Sequence, residues 1–132
     1  MLIHLPALVV ALTVALLFAT TCAVGWARGR YHIVAPAITG HPAFERAWRV
    51  QMNTLEAAVM FLPSLWLASQ YSNPSIAGIV GVLWLLARTW YGFAYARDAA
   101  RRGLPFTLGM LMTGILLVMG LVGVLRAFVL YA

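Results

Sequence analysis

The few charged residues of this chain lie inside long apolar segments, and their placement is the feature that most limits its possible folds. Charged residues make up 9% of the 132 residues, whereas soluble domains carry about 25%. The apolar segments are continuous rather than alternating, which favours helices over the strands of a membrane β-barrel. Because a bilayer needs about 20 apolar residues per helix, we predict an all-α integral membrane protein, a bundle of four transmembrane helices.

Helix-breaking residues divide the chain into these four segments. Residues 28–43 contain two prolines and two glycines, a Ser-Asn-Pro turn follows Tyr71, and Gly103-Leu104-Pro105 separates the last two apolar runs. Pro63 predicts a kink inside the second helix. We therefore predict a single domain over residues 1–132, with helices at about 2–27, 44–70, 75–101 and 105–128.

The arginines predict how the bundle is oriented. They crowd the connections at residues 28–43 and 99–104, whereas the turn at 71–74 is uncharged. The positive-inside rule then predicts a cytoplasmic location for the arginine-rich face, with both termini on the other side. Although the formal net charge is +6, the arginines are scattered rather than clustered on one basic face, so we predict no nucleic-acid partner. His4, His32 and His41 are too dispersed in sequence to predict a metal site.

Two series of polar residues recur at helical spacing inside the second and third apolar segments. The spacings of three and four residues predict one stripe along each helix. The stripe on helix two comprises Arg46, Arg49, Asn53 and Glu56, and the stripe on helix three comprises Arg88, Tyr91, Tyr95, Asp98 and Arg102. An ionisable group at membrane depth costs roughly 2.5 kcal/mol or more, so it needs a partner or a polar ligand. Two stripes on antiparallel neighbours predict a polar pocket.

Charge balance leaves two interpretations of this pocket open. Glu56 and Arg88 lie at similar predicted depths on facing helices and would suit a structural ion pair. Snorkelling side chains at a helix end explain several of the outer arginines without any ligand. Arginines nevertheless outnumber the acidic residues around both stripes, which favours an anionic ligand.

The pattern E-R-x-x-R-x-x-x-N-x-x-E occurs at residues 45–56, which read Glu45-Arg46-Ala47-Trp48-Arg49-Val50-Gln51-Met52-Asn53-Thr54-Leu55-Glu56. This pattern resembles the signature of the MAPEG family, the membrane-associated proteins in eicosanoid and glutathione metabolism. The segments 61–66 and 87–97 resemble the family too. The likeness covers about residues 26–126 and is closest to the branch of leukotriene C4 synthase and the microsomal glutathione transferases.

The resemblance implies a homotrimer of four-helix protomers that binds glutathione between subunits, near the cytoplasmic face. It assigns the glutathione contacts to Arg28, Arg49, Gln51, Asn53, Glu56, Tyr91, Tyr95 and Arg102. In this assignment Arg102 faces the thiol as the catalytic residue, and Arg28 comes from the adjacent subunit or caps the site.

The implied activity is a glutathione transferase or peroxidase that attacks lipophilic electrophiles or hydroperoxides arriving from the membrane lipids. Gly29 and Ala57 depart from the leukotriene C4 synthase pattern, where an arginine and a tyrosine stand, so leukotriene synthesis is not predicted. A non-enzymatic, lipid-presenting scaffold of the same fold is the alternative, and a small transporter is disfavoured because no inverted repeat is evident. The absence of lysine beside abundant arginine and alanine is typical of a GC-rich bacterial genome and predicts a bacterial inner membrane.

Overall fold

Four long helices dominate the computed structural model, which describes residues 2–131. They are α1 (Leu5–Tyr31), α2 (Pro42–Tyr71), α3 (Pro74–Arg97) and α4 (Gly103–Tyr131). Short 3-10 helices at Leu2–His4 and Ala99–Arg102 precede α1 and α4. The predicted all-α fold with four helices is confirmed.

Local sequence explains where α2 and α3 begin. His41 precedes α2 in extended geometry, and its Nδ1 accepts a hydrogen bond from the backbone N–H of Ala43 at 3.1 Å. Asn73 precedes α3, and its Oδ1 accepts from the N–H groups of Ser75 and Ile76 at 3.0 and 3.1 Å. Each cap is followed by a proline, whose fixed φ suits the first helical position.

The third helix ends four residues earlier than the sequence predicted, at Arg97 instead of residue 101. Asp98 adopts extended geometry, and its Oδ1 accepts from the N–H of Ala100 at 3.0 Å, which caps the following 3-10 helix. The predicted stripe on helix three therefore breaks at Asp98, which lies at the surface beside Arg101. The first helix ends four residues later than predicted, at Tyr31 instead of residue 27. Helices α2 and α4 begin and end within three residues of their predicted bounds, and α2 continues through Pro63.

Three helical segments of the described chain are long and apolar enough to cross a membrane: Leu2–Tyr31, Pro74–Arg97 and Ala99–Leu130. The remaining long helix, α2, has 30 residues, but it contains the polar segment Glu45–Glu56, which lowers its hydropathy. At 1.5 Å per residue its length suffices to span the roughly 30 Å hydrocarbon layer. Helix α2 is therefore long enough to span the membrane although it is less apolar than the others. Its polar side chains must be shielded from lipid by other parts of the protein.

The apolar core lies between α2, α3 and α4, with α1 packed along one side. Phe61 and Trp84 stack face to face at its centre, with ring centroids 3.8 Å apart. Val9 of α1 and Leu116 of α4 are fully buried against the same cluster. Toward the other end of α1, Ala27 packs against Phe44 of α2 in a second cluster. The first part of α1 lies against α3, where Leu5 and Val9 are close to Gly78 and Gly81, and its last part lies against α2.

Glycines let α4 approach α2 closely. A Cβ atom at Gly120 would lie 2.6 Å from Cβ of Leu67, and one at Gly123 would meet the carbonyl oxygen of Tyr71. Close approach of this kind increases van der Waals contact, on which helix association in lipid depends. By contrast, a Cβ atom at Gly114 on the same helix would meet no atom within 4 Å.

We expect Gly123→Ala to lower the thermal unfolding temperature in detergent, because the new methyl group must push α4 away from the backbone of α2. Overpacking of this kind costs about 1–3 kcal/mol. Gly114→Ala is the matched control and should leave the unfolding temperature unchanged or slightly higher. Equal behaviour of the two variants would contradict close α2–α4 packing.

Candidate functional site

A cavity of about 770 Å³ opens between α2, α3 and the start of α4. Its polar wall consists of residues that the two sequence stripes singled out: Arg49, Asn53, Glu56, Tyr91, Tyr95 and Arg102. Its apolar wall is formed by Ala57, Met60, Gly103, Phe106 and Met110. Six of the eight residues implied by the family resemblance therefore line one cavity, of a volume typical of small-molecule sites.

Helical geometry explains the contribution of α2. Arg49, Asn53 and Glu56 follow at spacings of four and three residues, so they lie on one face over two turns. Val50 and Thr54, one residue further along, are buried on the side facing the neighbouring helices. The helix thus presents a polar surface to the cavity and an apolar packing surface to its neighbours.

Hydrogen bonds hold the polar wall together across α2 and α3. Nδ2 of Asn53 donates to Oη of Tyr91 at 2.7 Å, and Tyr91 is only 1% exposed. Tyr91 also packs against Tyr95, with ring centroids 5.7 Å apart. Since both tyrosines are buried, their phenol groups form a fixed floor to the cavity.

Arg102 reaches the cavity from the 3-10 helix that precedes α4. Its Nη1 donates to Oη of Tyr95 at 3.3 Å, and its guanidinium carbon lies 5.2 Å from the centre of the Tyr95 ring. The break at Asp98 is what allows this position, because Arg102 no longer continues the rotation of α3. Its side chain is exposed on one side and contacts the tyrosine floor on the other.

Arg88 lies behind this wall instead of in the cavity. It is 2% exposed, its Nη2 donates to the backbone oxygen of Asn53 at 2.6 Å, and its guanidinium carbon lies 4.1 Å from the centre of the Tyr91 ring. It makes no ion pair with Glu56: within residues 2–131 the one ion pair at 4.0 Å or less joins Arg101 to Asp98. The Glu56 carboxylate instead lines the cavity and is exposed.

Arg28 and Gln51 are the two predicted ligand contacts that lie outside the cavity of this protomer. Nη1 of Arg28 donates to the backbone oxygen of Ala37 at 2.7 Å, and its guanidinium lies over the ring of Phe44. Nε2 of Gln51 donates to Oγ1 of Thr21 on α1 at 3.0 Å. Gln51 follows Arg49 by two residues, about 200° around the helix, so the two side chains point in nearly opposite directions.

Sequence reasoning missed the apolar wall. Phe106 and Met110 are spaced by four residues at the start of α4 and lie on one face, but an apolar pair in an apolar helix carries no distinctive signal. Met60 continues the α2 stripe four residues beyond Glu56, and this continuation was the available clue. The cavity therefore has a polar half with two cations and one carboxylate, and an apolar half beside it.

We expect Tyr91→Phe to destabilise the protein by about 1–3 kcal/mol, since it leaves the Nδ2 group of Asn53 without its acceptor. Tyr95→Phe is the matched control, because its hydroxyl accepts only the longer 3.3 Å bond from the exposed Arg102. Thermal unfolding of both variants in the same detergent measures the difference. A larger loss for Tyr95→Phe would show that the Asn53–Tyr91 bond does not hold the two helices.

The chain is similar in sequence to a family model and to several known proteins. The model of the MAPEG family matches residues 6–122. An uncharacterized protein of Synechocystis sp. is 45% identical over 120 residues, 91% of this chain and 88% of that protein. Microsomal glutathione S-transferase 2 of Bos taurus is 36% identical over 80% of this chain and 72% of its own length. Leukotriene C4 synthase of Cavia porcellus is 34% identical over 77% and 68%. These matches confirm the resemblance found in the helix-two signature: the chain is an integral membrane protein that belongs to the MAPEG family.

Proposed function

We propose that this protein is a membrane-bound glutathione transferase or peroxidase that activates the glutathione thiol for attack on lipophilic electrophiles or hydroperoxides. The observation that carries the proposal is the convergence of Arg49, Asn53, Glu56, Tyr95 and Arg102 on one cavity whose other half is apolar. The relatives named for glutathione transfer and leukotriene C4 synthesis support the same class of chemistry.

The donor set suits glutathione as substrate. Glutathione carries two carboxylates, one ammonium group and a thiol, and the cavity offers two arginines, one carboxylate, an amide and two phenols. Arg49 would bind a carboxylate, and Asn53 would hydrogen-bond the peptide. The Glu56 carboxylate, which has no ion-pair partner within residues 2–131, would bind the ammonium group. Tyr91 and Tyr95 would contact the peptide from the cavity floor.

A homotrimer would complete this site. Arg49 and Glu56 are exposed in the isolated protomer although they lie on a membrane helix, a costly arrangement unless another subunit or a ligand covers them. Arg28 and Gln51 lie outside the protomer's own cavity and bond Ala37 and Thr21 there; in the trimer they would contact glutathione in the cavity of a neighbouring subunit. The arginine-rich ends of α2 and α3 would face the cytoplasm, where glutathione is abundant, from a bacterial inner membrane.

Thiolate formation is the step that the cavity would assist. A free thiol has a pKa near 8.5 and is mostly protonated at pH 7. Because an arginine is always charged and cannot act as the base, Arg102 would stabilise the thiolate while water takes the proton. The thiolate sulfur then forms a bond to an electrophilic carbon, and the leaving group departs with its electron pair.

A lipid hydroperoxide would react at the same sulfur. Attack on the terminal peroxide oxygen breaks the O–O bond and releases the lipid alcohol after protonation. The sulfenic acid of glutathione formed in this step condenses with a second glutathione thiol, giving the disulfide and water. Ala57, Met60, Phe106 and Met110 would hold the acyl part of either acceptor beside the thiolate.

Arg49→Ala should weaken glutathione binding by about tenfold or more, since it removes a charge-assisted hydrogen bond to a carboxylate. Isothermal titration of glutathione into the detergent-solubilised protein measures the change. Arg97→Ala, an exposed arginine outside the cavity, is the control and should bind as the wild type does. Equal binding by wild type and Arg49→Ala would remove Arg49 from the site.

Arg102→Met should raise the pKa of the bound thiol by about one unit, equivalent to about 1.4 kcal/mol, while glutathione affinity changes little. The thiolate fraction at pH 7 should then fall several-fold, and the rate should recover as the pH rises through the higher pKa. Thiolate absorbance at a series of pH values measures this shift. Arg101→Met, which loses only a surface ion pair to Asp98, should titrate as the wild type does. Unchanged absorbance in Arg102→Met would reject Arg102 as the catalytic residue.

A non-enzymatic, lipid-presenting scaffold is the second candidate, favoured by the apolar wall of the cavity. Conjugation of glutathione to 1-chloro-2,4-dinitrobenzene separates the two functions. Turnover above the uncatalysed rate that is lost in Arg102→Met supports the enzyme. Glutathione binding without turnover of this acceptor or of a lipid hydroperoxide supports the scaffold.

A further inference from the structure

Reduction of a lipid hydroperoxide needs a proton that conjugation to an electrophile such as a chloroarene does not need. When the thiolate sulfur attacks the terminal peroxide oxygen, the O–O bond breaks and its electron pair leaves with the lipid oxygen as an alkoxide. An alkoxide is a strong base, so its departure is assisted by a group that gives it a proton in the same step. Chloride departs as a stable anion without one. A cavity that serves both reactions therefore needs a proton donor for the hydroperoxide alone.

The lining of the cavity limits which group can supply this proton. Its described polar side chains are two arginines, one carboxylate, one amide and two phenols. An arginine keeps its proton at any working pH, and an ionised carboxylate only accepts hydrogen bonds. A side-chain amide is not an acid in water. Phenols are weak acids but are much stronger acids than alcohols, and tyrosine serves as a general acid in other enzymes. Among the described lining residues, Tyr91 and Tyr95 are therefore the ones that can protonate an alkoxide.

Hydrogen bonding distinguishes the two phenols. The hydroxyl of Tyr91 accepts from Nδ2 of Asn53 at 2.7 Å, and Tyr91 is only 1% exposed. The hydroxyl of Tyr95 accepts a longer bond, 3.3 Å, from Nη1 of the exposed Arg102, and Tyr95 is 7% exposed. A phenol oxygen that accepts a hydrogen bond still has its own O–H to donate. Tyr95 thus has its hydroxyl beside the mobile end of an exposed side chain, whereas Tyr91 is held between α2 and α3.

Arg102 links Tyr95 to the reacting atoms. In the proposed function the Arg102 guanidinium faces the thiolate sulfur, and the same guanidinium bonds the Tyr95 hydroxyl. A peroxide attacked by that sulfur would therefore lie next to the phenol. Gly103 and Phe106, one and four residues after Arg102, belong to the apolar wall that would hold the acyl part. The peroxide group would lie between this wall and the phenol.

We propose that Tyr95 is the general acid of the peroxidase reaction, a role that rests on the proposed function. As the S–O bond forms and the O–O bond breaks, the Tyr95 O–H proton passes to the departing alkoxide oxygen, and the electron pair of the O–H bond stays on the phenolate. The products are the lipid alcohol and the sulfenic acid of glutathione.

The remaining steps restore the site. Water returns to the phenolate the proton that the glutathione thiol released earlier. A second glutathione converts the sulfenic acid to the disulfide and water. Glutathione is thereby oxidised and the peroxide is reduced, while Arg102 keeps its charge throughout. Two glutathione molecules and one hydroperoxide give one disulfide, one alcohol and one water.

Tyr95→Phe tests the role, because it removes the O–H group and keeps the ring that packs against Tyr91. The measured quantity is kcat for cumene hydroperoxide divided by kcat for 1-chloro-2,4-dinitrobenzene, both at saturating glutathione. The second acceptor loses chloride and needs no acid, so damage to thiolate formation divides out. We expect the ratio to fall about a hundredfold, the lower end of what general acid catalysis contributes. Tyr71→Phe, an exposed tyrosine outside the cavity, is the matched control and should keep the wild-type ratio.

A change of leaving group tests the proton transfer itself. A nitro group on the ring of cumene hydroperoxide makes the departing alcohol more acidic and reduces its need for a proton. The increase in kcat from cumene hydroperoxide to 4-nitrocumene hydroperoxide should therefore be larger in Tyr95→Phe than in the wild type. A hydroxyl that only supports the packing of the site would change both rates equally.

The outcomes separate this proposal from the proposed function. An unchanged ratio in Tyr95→Phe, or an equal response to the nitro group in both proteins, would overturn the proposal and leave the proposed enzyme intact. A wild type that conjugates 1-chloro-2,4-dinitrobenzene but reduces no hydroperoxide would also overturn it and leave a transferase. A wild type that turns over neither acceptor would overturn the proposed function and this inference with it.

Discussion

Arg88 joins the two polar helices of this bundle, and the geometry of the site depends on that contact. Its guanidinium donates to the backbone oxygen of Asn53 and covers the ring of Tyr91, while Asn53 donates to the Tyr91 hydroxyl. In lipid, polar groups cannot turn to water, so a cation between two helices must find its acceptors in the protein. These contacts therefore hold α2 and α3 in their relative position, and they place Tyr91 at the floor of the cavity.

Helix α2 directs one set of polar side chains into the cavity and another toward α1. One side carries Arg49, Asn53 and Glu56 into the cavity, whereas Gln51 points toward α1 and bonds Thr21. Arg49 and Glu56 on the polar side are exposed in the protomer. A partner subunit and a polar ligand are the groups that would cover it, which links the proposed homotrimer to the proposed substrate.

Much of the site was predictable because helical spacing converts directly into a shared face. Arg49, Asn53 and Glu56 stayed together for that reason, as did Tyr91 and Tyr95. The prediction was wrong where the helix did not continue: Asp98 caps a new 3-10 helix and leaves the stripe, while Arg102 returns to the cavity by another route. The sequence left open whether Glu56 pairs with Arg88 or binds a ligand, and the structure has no such ion pair within residues 2–131. Arg88 instead donates to the backbone oxygen of Asn53, an acceptor that no sequence pattern reveals.

By itself the sequence determined the membrane class, the four helices and the two polar stripes, because hydropathy and periodicity are properties of consecutive residues. The resemblance of residues 45–56 to a known signature indicated the family. Only the tertiary structure decided that α4 supplies an apolar wall through Phe106 and Met110 and that Arg88 lies outside the cavity. These outcomes depend on how far helices cross and how closely they approach. Such distances are set by packing among residues far apart in the chain, and spacing along one helix does not contain them.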